Sequence, residues 1–207
     1  MKKAFFFLHL YAFILLAFRI YHTNSLFYGF MLWNLFLAYL PFYISNLITS
    51  KKLLWILFII WLLFLPNSSY LITDLFHLNK GLKSPVWYDL LLLFTFSIIG
   101  IGYYFMSLIK IYHVIKNHYN IYIANSIIYC SIVLSCFGMY LGRYLRWNSW
   151  ELFLQPKILL IDVITRITKP FEHPKTWGFT LGYSLLFIIL FWFIKDIKIK
   201  ATFAKEK

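Results

Sequence analysis

Long apolar runs, separated by short polar and basic segments, dominate the pattern of the chain. An α-helix needs about 20 apolar residues to cross a hydrocarbon core about 30 Å thick, and most of the runs approach that length. They fall at residues 4–20, 26–48, 53–78, 86–109, 121–141 and 177–194. The pattern predicts an all-α fold, a polytopic transmembrane helical bundle of about six spans that forms a single integral membrane domain over residues 1–207.

Polar residues interrupt the third run. Its purely apolar part, Leu53–Leu65, would be about 20 Å long as a helix, which is too short to cross a membrane. A continuation from Pro66 to residue 78 completes the crossing. Proline removes one hydrogen bond of the helix, and Asn67, Ser68 and Ser69 can satisfy the backbone groups that it frees. We therefore expect the third helix to be kinked or broken at Pro66.

The first run allows two interpretations. Lys2 and Lys3 precede it, as they would in a cleaved signal peptide or in a first transmembrane helix. No cleavage site with small residues follows the run, which ends at Arg19-Ile20-Tyr21-His22. We therefore favour a retained first span.

The connection between the fifth and sixth runs, residues 142–176, is much longer than the others. Within it, apolar residues recur at helical spacing opposite Asp162 and Arg166. The apolar residues are Ile158, Leu159, Val163 and Ile167. This weak amphipathic pattern is typical of a helix that lies in the membrane interface.

Composition agrees with a membrane protein. Hydrophobic residues make up 62% of the chain and charged residues 13%, whereas soluble domains have roughly 45–50% and about 25%. In a soluble protein, the formal net charge of +13 would suggest binding to nucleic acid. Here, however, the basic residues lie between the apolar runs. Such residues serve membrane topology and anionic headgroups. We therefore expect membrane lipids as partners and no nucleic acid.

Lys and Arg are unevenly distributed between the loops. With six spans, the loops on the side of the two termini carry more basic residues than the opposite loops, apart from the long connection. This bias predicts that both termini are cytoplasmic and that the protein is multi-pass in a cell (inner or plasma) membrane. The polar ends of the third and fifth spans then both reach the outer face, at the level of Asp89.

The first candidate cluster follows the apolar part of the third run and consists of Asn67, Tyr70, Asp74 and His77. If an α-helix resumes there, residues 70, 74 and 77 share one stripe. Asp74 and His77 are candidate catalytic or proton-relay residues, because ionisable groups at membrane depth are often functional. Alternatively, Asp74 pairs with an arginine and His77 lies in the headgroup layer. Two ligands are too few for a metal site, and the sequence predicts no metal and no cofactor.

The second candidate cluster follows the fifth run and consists of Arg143, Arg146, Trp147, Asn148, Trp150 and Glu151. As a continuous helix, the cluster would place most of these residues on one face. Arginine binds phosphate bidentately, and tryptophan packs at the interface. The cluster therefore predicts a site for a phosphate-bearing lipid or lipid-linked substrate. The alternative is a pair of snorkelling arginines within an aromatic belt.

At these two clusters, Phe64–Leu78 and Gly138–Glu151 resemble the signature blocks of the bacterial membrane-protein family catalogued as domain of unknown function 1361. The chain departs from the family pattern at Ser68-Ser69, where the family tends to have Ala-Pro, and at Glu151, where it tends to have Asp. The resemblance implies a multi-spanning bacterial membrane protein with its site at these segments. It implies no activity.

Three kinds of function are compatible with this pattern. The first is an outward-facing polar site that binds or modifies an anionic lipid or lipid-linked substrate. The second is a non-catalytic structural membrane component, in which Asp74 and Arg143 only fasten two helices. The third is a small-solute or proton-coupled transporter, which has weaker support because ionisable residues deep in the spans are scarce. The residues do not decide whether the protein is an enzyme.

Overall fold

The computed structural model describes residues 2–48, 51–78, 84–149 and 151–203, and these contain helices and no strands. The helices are α1 (Lys2–Thr23), α2 (Phe30–Leu47), α3 (Lys51–Tyr70), α4 (Val86–His118), α5 (Ile121–Leu145), α6 (Glu151–Leu154), α7 (Pro156–Thr168) and α8 (Pro174–Phe203). A 3-10 segment, Leu71–His77, follows α3, and a 3-10 turn, Pro170–Glu172, precedes α8. The predicted all-α bundle is confirmed.

Six of the helices in the described residues are long and apolar enough to cross a membrane: Lys3–Thr23, Phe30–Leu47, Leu53–His77, Val86–His118, Ile121–Tyr144 and Pro174–Ile197. Large apolar side chains on them are exposed, for example Trp33 at 55%, Ile56 at 61% and Trp87 at 66%. An apolar exterior requires an apolar solvent. The chain is therefore a multi-pass membrane protein.

The fourth helix is longer than the predicted span 86–109. It continues past Lys110 to His118. Ile111 and Ile115 are fully buried in this extension, and Tyr112 is 3% exposed. Burial of these apolar side chains stabilises the extra turns, so one lysine does not end the helix.

The third helix does not break at Pro66. It remains α-helical as far as Tyr70, and the helix type then changes to 3-10. Side chains satisfy carbonyl groups along this transition. Asn67 Nδ2 donates to the Phe64 carbonyl at 3.1 Å, and Thr73 Oγ1 donates to the Tyr70 carbonyl at 2.6 Å. Polar side chains therefore stabilise the altered backbone, as the sequence suggested, but the transition lies four residues later than expected.

The structure forms two compact units, Met1–Ser107 and Leu108–Lys207, which are described in turn, and α4 contributes residues to both. In the first unit, α2 packs on α3, and α4 lies close to the 3-10 segment. A Cβ atom at Gly100 would be 2.6 Å from the Ser68 carbonyl oxygen, so only glycine permits this approach. Ser97 Oγ also donates to the Leu71 carbonyl at 2.8 Å.

Polar contacts also fasten α1 to α4 in the first unit. The Tyr103 hydroxyl and His9 Nε2 are 2.9 Å apart, and the Tyr88 hydroxyl donates to the Leu15 carbonyl at 2.8 Å. An apolar cluster that includes Leu16 and Phe96 packs between these contacts. His9 therefore helps to fasten α1 to α4.

The second unit is built on the packing of α5 against α8. The buried residues of α5 include Ala124, Ser131 and Ser135, whose small side chains let helix backbones approach closely. The long connection between these helices folds into α6, α7 and the 3-10 turn. The predicted amphipathic helix is therefore present as α7.

Candidate functional site

Asp74 and His77 lie in the 3-10 segment, which changes their geometry. A 3-10 helix has three residues per turn, so residues 74 and 77 lie directly above one another, whereas Tyr70 falls off that row. The stripe expected for an α-helix is therefore wrong for Tyr70. Asp74 is 1% exposed, and its Oδ2 accepts a hydrogen bond from Asn34 Nδ2 at 3.0 Å. Asn34 thus makes the interhelical bond that polar residues within spans usually make.

His77 contacts the start of α2. Its ring lies 5.3 Å from that of Phe30, and its carbonyl accepts a hydrogen bond from the Tyr28 hydroxyl at 3.2 Å. Burial and the nearby Asp89 carboxylate raise the pKa of Tyr28 to about 12, so this hydroxyl keeps its proton. Asn67 and Tyr70 are half-buried.

A buried ion pair lies beside Tyr28. The Arg19 guanidinium donates from Nε to Asp89 Oδ1 at 3.2 Å, and a second bond reaches Oδ2 at 3.4 Å. Arg19 is 1% exposed and Asp89 2%. Thr23 and Ser84 contribute further hydrogen bonds, and the guanidinium carbon lies 4.7 Å from the centre of the Tyr28 ring. This pair was not predicted from the sequence, although both residues are isolated charges at span ends.

The second cluster begins where α5 ends. Arg146 adopts a left-handed conformation with φ 62°, and the amide of Trp147 donates to the Leu141 carbonyl at 3.2 Å. A left-handed residue commonly ends a helix, and glycine is the usual residue at that position. The helix therefore stops at Leu145, and the expected single face for Arg143, Trp147 and Glu151 is wrong. Arg143 is half-buried and Arg146 is exposed.

Two indoles hold α7 in place. Trp147 Nε1 donates to Asp162 Oδ2 at 2.7 Å, and Trp177 Nε1 donates to the Arg166 carbonyl at 3.0 Å. Arg166 Nη1 also bonds to Asp162 Oδ1 at 3.1 Å. We call these four residues the α7 anchor. They show that the polar side of α7 faces the protein.

The remaining residues of the second cluster form a local turn. The Glu151 carboxylate accepts hydrogen bonds from the backbone and side-chain amides of Asn148. A glutamate that bonds back to an amide three residues earlier stabilises a helix start, which here is the start of α6. Trp150 lies outside the described residues.

The first unit contains an end of the third helix with a buried carboxylate. The second unit contains an end of the fifth helix with a half-buried and an exposed arginine. That these two ends meet stays a prediction. In the part of the chain that the structure describes, no group of three or more His, Cys, Asp or Glu is placed to hold a metal. The chemistry that the second cluster can provide is donation of hydrogen bonds to an anion, next to apolar surface.

The chain was also compared with known proteins. The family model described as protein of unknown function DUF1361 matches residues 33–190, which include both candidate clusters. No curated protein and no solved structure matches the chain. Because the match covers most of its length, the chain belongs to the DUF1361 family.

Proposed function

We propose that the protein binds anionic phospholipids, or lipid-linked substrates with a phosphate, where α5 ends and α7 begins. The observation that carries the proposal is the orientation of α7. Its polar residues Asp162 and Arg166 belong to the α7 anchor and face the protein. Between Lys157 and Thr168, its exposed side chains are apolar: Ile158, Leu160, Ile161, Ile164 and Ile167, each at least half exposed. Such a surface suits immersion among lipids at headgroup depth.

Along the chain, basic residues precede and follow the residues of this apolar surface. Arg146, Lys157 and Lys175 are exposed, whereas Lys169 is paired with Glu172 at 3.1 Å. Near an anionic surface, each basic residue attracts lipid headgroups with roughly 1 kcal/mol. We propose that Arg143 and Arg146 contact the phosphate and that Trp147 supports α7 beside the acyl chains.

For the first cluster, the observations favour the structural alternative. Asp74 is buried and bonded to Asn34, and the His77 carbonyl is bonded to Tyr28. A carboxylate held in this way fixes the 3-10 segment against α2. We therefore propose lipid binding in the second unit and a positioning role for Asp74 in the first.

The orientation also belongs to this proposal. We propose that both termini are cytoplasmic in a bacterial inner or plasma membrane, so that α7 lies at the outer leaflet. A reporter enzyme that works only outside the cytoplasm should be active when it is fused after Lys157. An inactive reporter at this position would contradict the orientation.

The binding proposal is tested with the purified full chain in lipid nanodiscs. Addition of phosphatidylglycerol to a phosphatidylcholine background should raise the melting temperature of the wild type. Arg146→Gly is the informative variant, because glycine tolerates the left-handed backbone while the charge is removed. We expect it to weaken phosphatidylglycerol binding about tenfold, which corresponds to one lost charge-assisted hydrogen bond.

The matched control is Lys116→Ala, which removes one charge at an exposed position of α4 in the same unit. It should leave the affinity for phosphatidylglycerol unchanged. Equal weakening by both variants would show only general attraction to net charge. Equal melting temperatures in phosphatidylglycerol and phosphatidylcholine would refute the proposed function.

A further inference from the structure

Unpartnered polar atoms are concentrated in one part of the second unit. In the described residues, six buried side-chain nitrogen or oxygen atoms have no hydrogen-bond partner, and five of them lie between positions 166 and 184. These five are Arg166 Nε, His173 Nε2 and the hydroxyl oxygens of Thr176, Thr180 and Ser184. We call the last three residues the hydroxyl row. Their concentration in one stretch requires an explanation.

The hydroxyl row occupies one side of α8. Its members are four residues apart, which places them on the same face over about 12 Å. Thr176 and Thr180 are 0% exposed and Ser184 is 3% exposed. Buried hydroxyls in helices usually donate to a carbonyl one turn earlier, as Ser131 does to Ile127 at 2.7 Å. Thr176 and Thr180 do not, so their donors are available to an acceptor from outside their own helix.

Arg166 lies in α7, His173 immediately precedes α8, and the backbone carbonyls of both residues contact Trp177 of α8. The indole of Trp177 donates to the Arg166 carbonyl at 3.0 Å, and the Trp177 amide donates to the His173 carbonyl at 3.4 Å. Both residues therefore flank Trp177, one turn from Thr176. A guanidinium and an imidazole provide N–H donors for a phosphate.

The order of these hydrogen-bond donors matches the order of the acceptors in a glycerophospholipid. The phosphate lies at headgroup depth, and the two ester carbonyls lie one step closer to the membrane centre. Along the chain, the nitrogen donors precede α8 and the hydroxyl donors follow within the span Pro174–Ile197. We propose that these side chains form a glycerophospholipid site. The Arg166 and His173 nitrogens donate to the phosphate together with Arg143 and Arg146, and the hydroxyls of Thr176 and Thr180 donate to the ester carbonyls. The inference rests on the proposed function and identifies the atoms that the lipid contacts.

The hydroxyl row is closed in this structure, because its members are buried. A lipid must therefore separate α8 from the side chains packed over the row. Hydroxyls that lack partners when closed gain them when a lipid carbonyl enters, and this gain favours the open, lipid-bound state.

The test uses two forms of phosphatidylglycerol with the same headgroup and charge. One has ester-linked chains and the other has ether-linked chains, which lack the carbonyls. The full chain is mixed with equal amounts of both, and native mass spectrometry measures the ratio of bound lipids. We expect the wild type to prefer the ester lipid about fivefold, the effect of one or two net hydrogen bonds.

Thr180→Val removes a hydroxyl without changing the shape of the side chain and should bring the ester-to-ether ratio close to one. Thr176→Val is a second variant, in case Thr180→Val does not fold. Thr165→Val is the matched control, because the Thr165 hydroxyl is already bonded to the Ile161 carbonyl at 2.7 Å. The control should keep the wild-type ratio.

The outcomes separate this inference from the proposed function. Equal binding of ester and ether lipids by the wild type, with phosphatidylglycerol still preferred over phosphatidylcholine, would overturn the inference alone. Loss of the ester preference in Thr165→Val would also overturn it. Absence of any preference for phosphatidylglycerol would overturn the proposed function and this inference together.

Discussion

The buried ion pair between Arg19 and Asp89 allows a sharp test of the first unit. Asp89→Asn keeps the size of the side chain but leaves the Arg19 charge without its counterion. Both residues are almost fully buried, and their closest atoms are 3.2 Å apart. Breaking a buried pair from one side costs about 3–5 kcal/mol, because the remaining charge stays in a medium that solvates it poorly. For a chain of this size, we expect the melting temperature to fall by about 10 °C.

The chain provides a matched control on its surface. Lys169 and Glu172 form an ion pair at 3.1 Å, but these side chains are 56% and 62% exposed. Exposed pairs contribute about 0–1 kcal/mol. Glu172→Gln should therefore lower the melting temperature by only about 2 °C. Both variants can be measured by tryptophan fluorescence during heating in the same detergent.

A double variant tests the electrostatic explanation itself. Arg19→Met with Asp89→Leu removes both charges and keeps apolar volume, which is often neutral for a buried pair. We expect the double variant to be more stable than Asp89→Asn. If Asp89→Asn is no less stable than Glu172→Gln, or if the double variant is the least stable of all, the reasoning is refuted.

Three further predictions follow from other contacts. Gly100→Ala should destabilise the protein by about 1–3 kcal/mol, because its Cβ meets a backbone oxygen at 2.6 Å. Gly182→Ala, which meets nothing within 4 Å, should not lower the melting temperature; equal effects would contradict the close approach. The pKa of Tyr28 is raised to about 12, so its stabilising contribution is complete below pH 10 and is lost as the pH rises through 12. A difference titration at 295 nm against Tyr28→Phe should show a phenol ionising above pH 11, and ionisation near pH 10 would contradict this. Cys130 is exposed and Cys136 is buried, so maleimide should label Cys130→Ser far more slowly than Cys136→Ser.

Hydrophobic patterning predicts the spans well because lipid imposes one simple requirement, an apolar helix long enough to cross. The helix ends were predicted less well. The continuation of α4 depends on burial of Ile111 and Ile115 by tertiary packing, and a lysine in the pattern does not reveal that packing. The segment around Tyr70 likewise packs closely on Gly100, and hydrophobic patterning does not reveal this tertiary contact.

The candidate site was predictable in its location but not in its contacts. Both clusters were assigned by extending α-helical spacing, and both helices depart from that spacing within the cluster. At Arg146 the departure is a left-handed residue where glycine is usual, so the residue type does not predict it. The hydroxyl row could have been found, because a Thr-Thr-Ser spacing of four within an apolar span is a recognisable helical stripe.

The positions of the buried charges help to decide between binding and transport. In the described residues, the charged side chains that are buried are Arg19, Asp74 and Asp89. Each lies near an end of its span, since the spans containing them are Lys3–Thr23, Leu53–His77 and Val86–His118. A pathway for ions or protons needs ionisable groups within the membrane interior, whereas a phosphate at headgroup depth needs donors at the ends of the helices. Charges fastened at the ends, together with a helix that turns its apolar side outward, therefore favour recognition of a lipid headgroup over translocation of a solute.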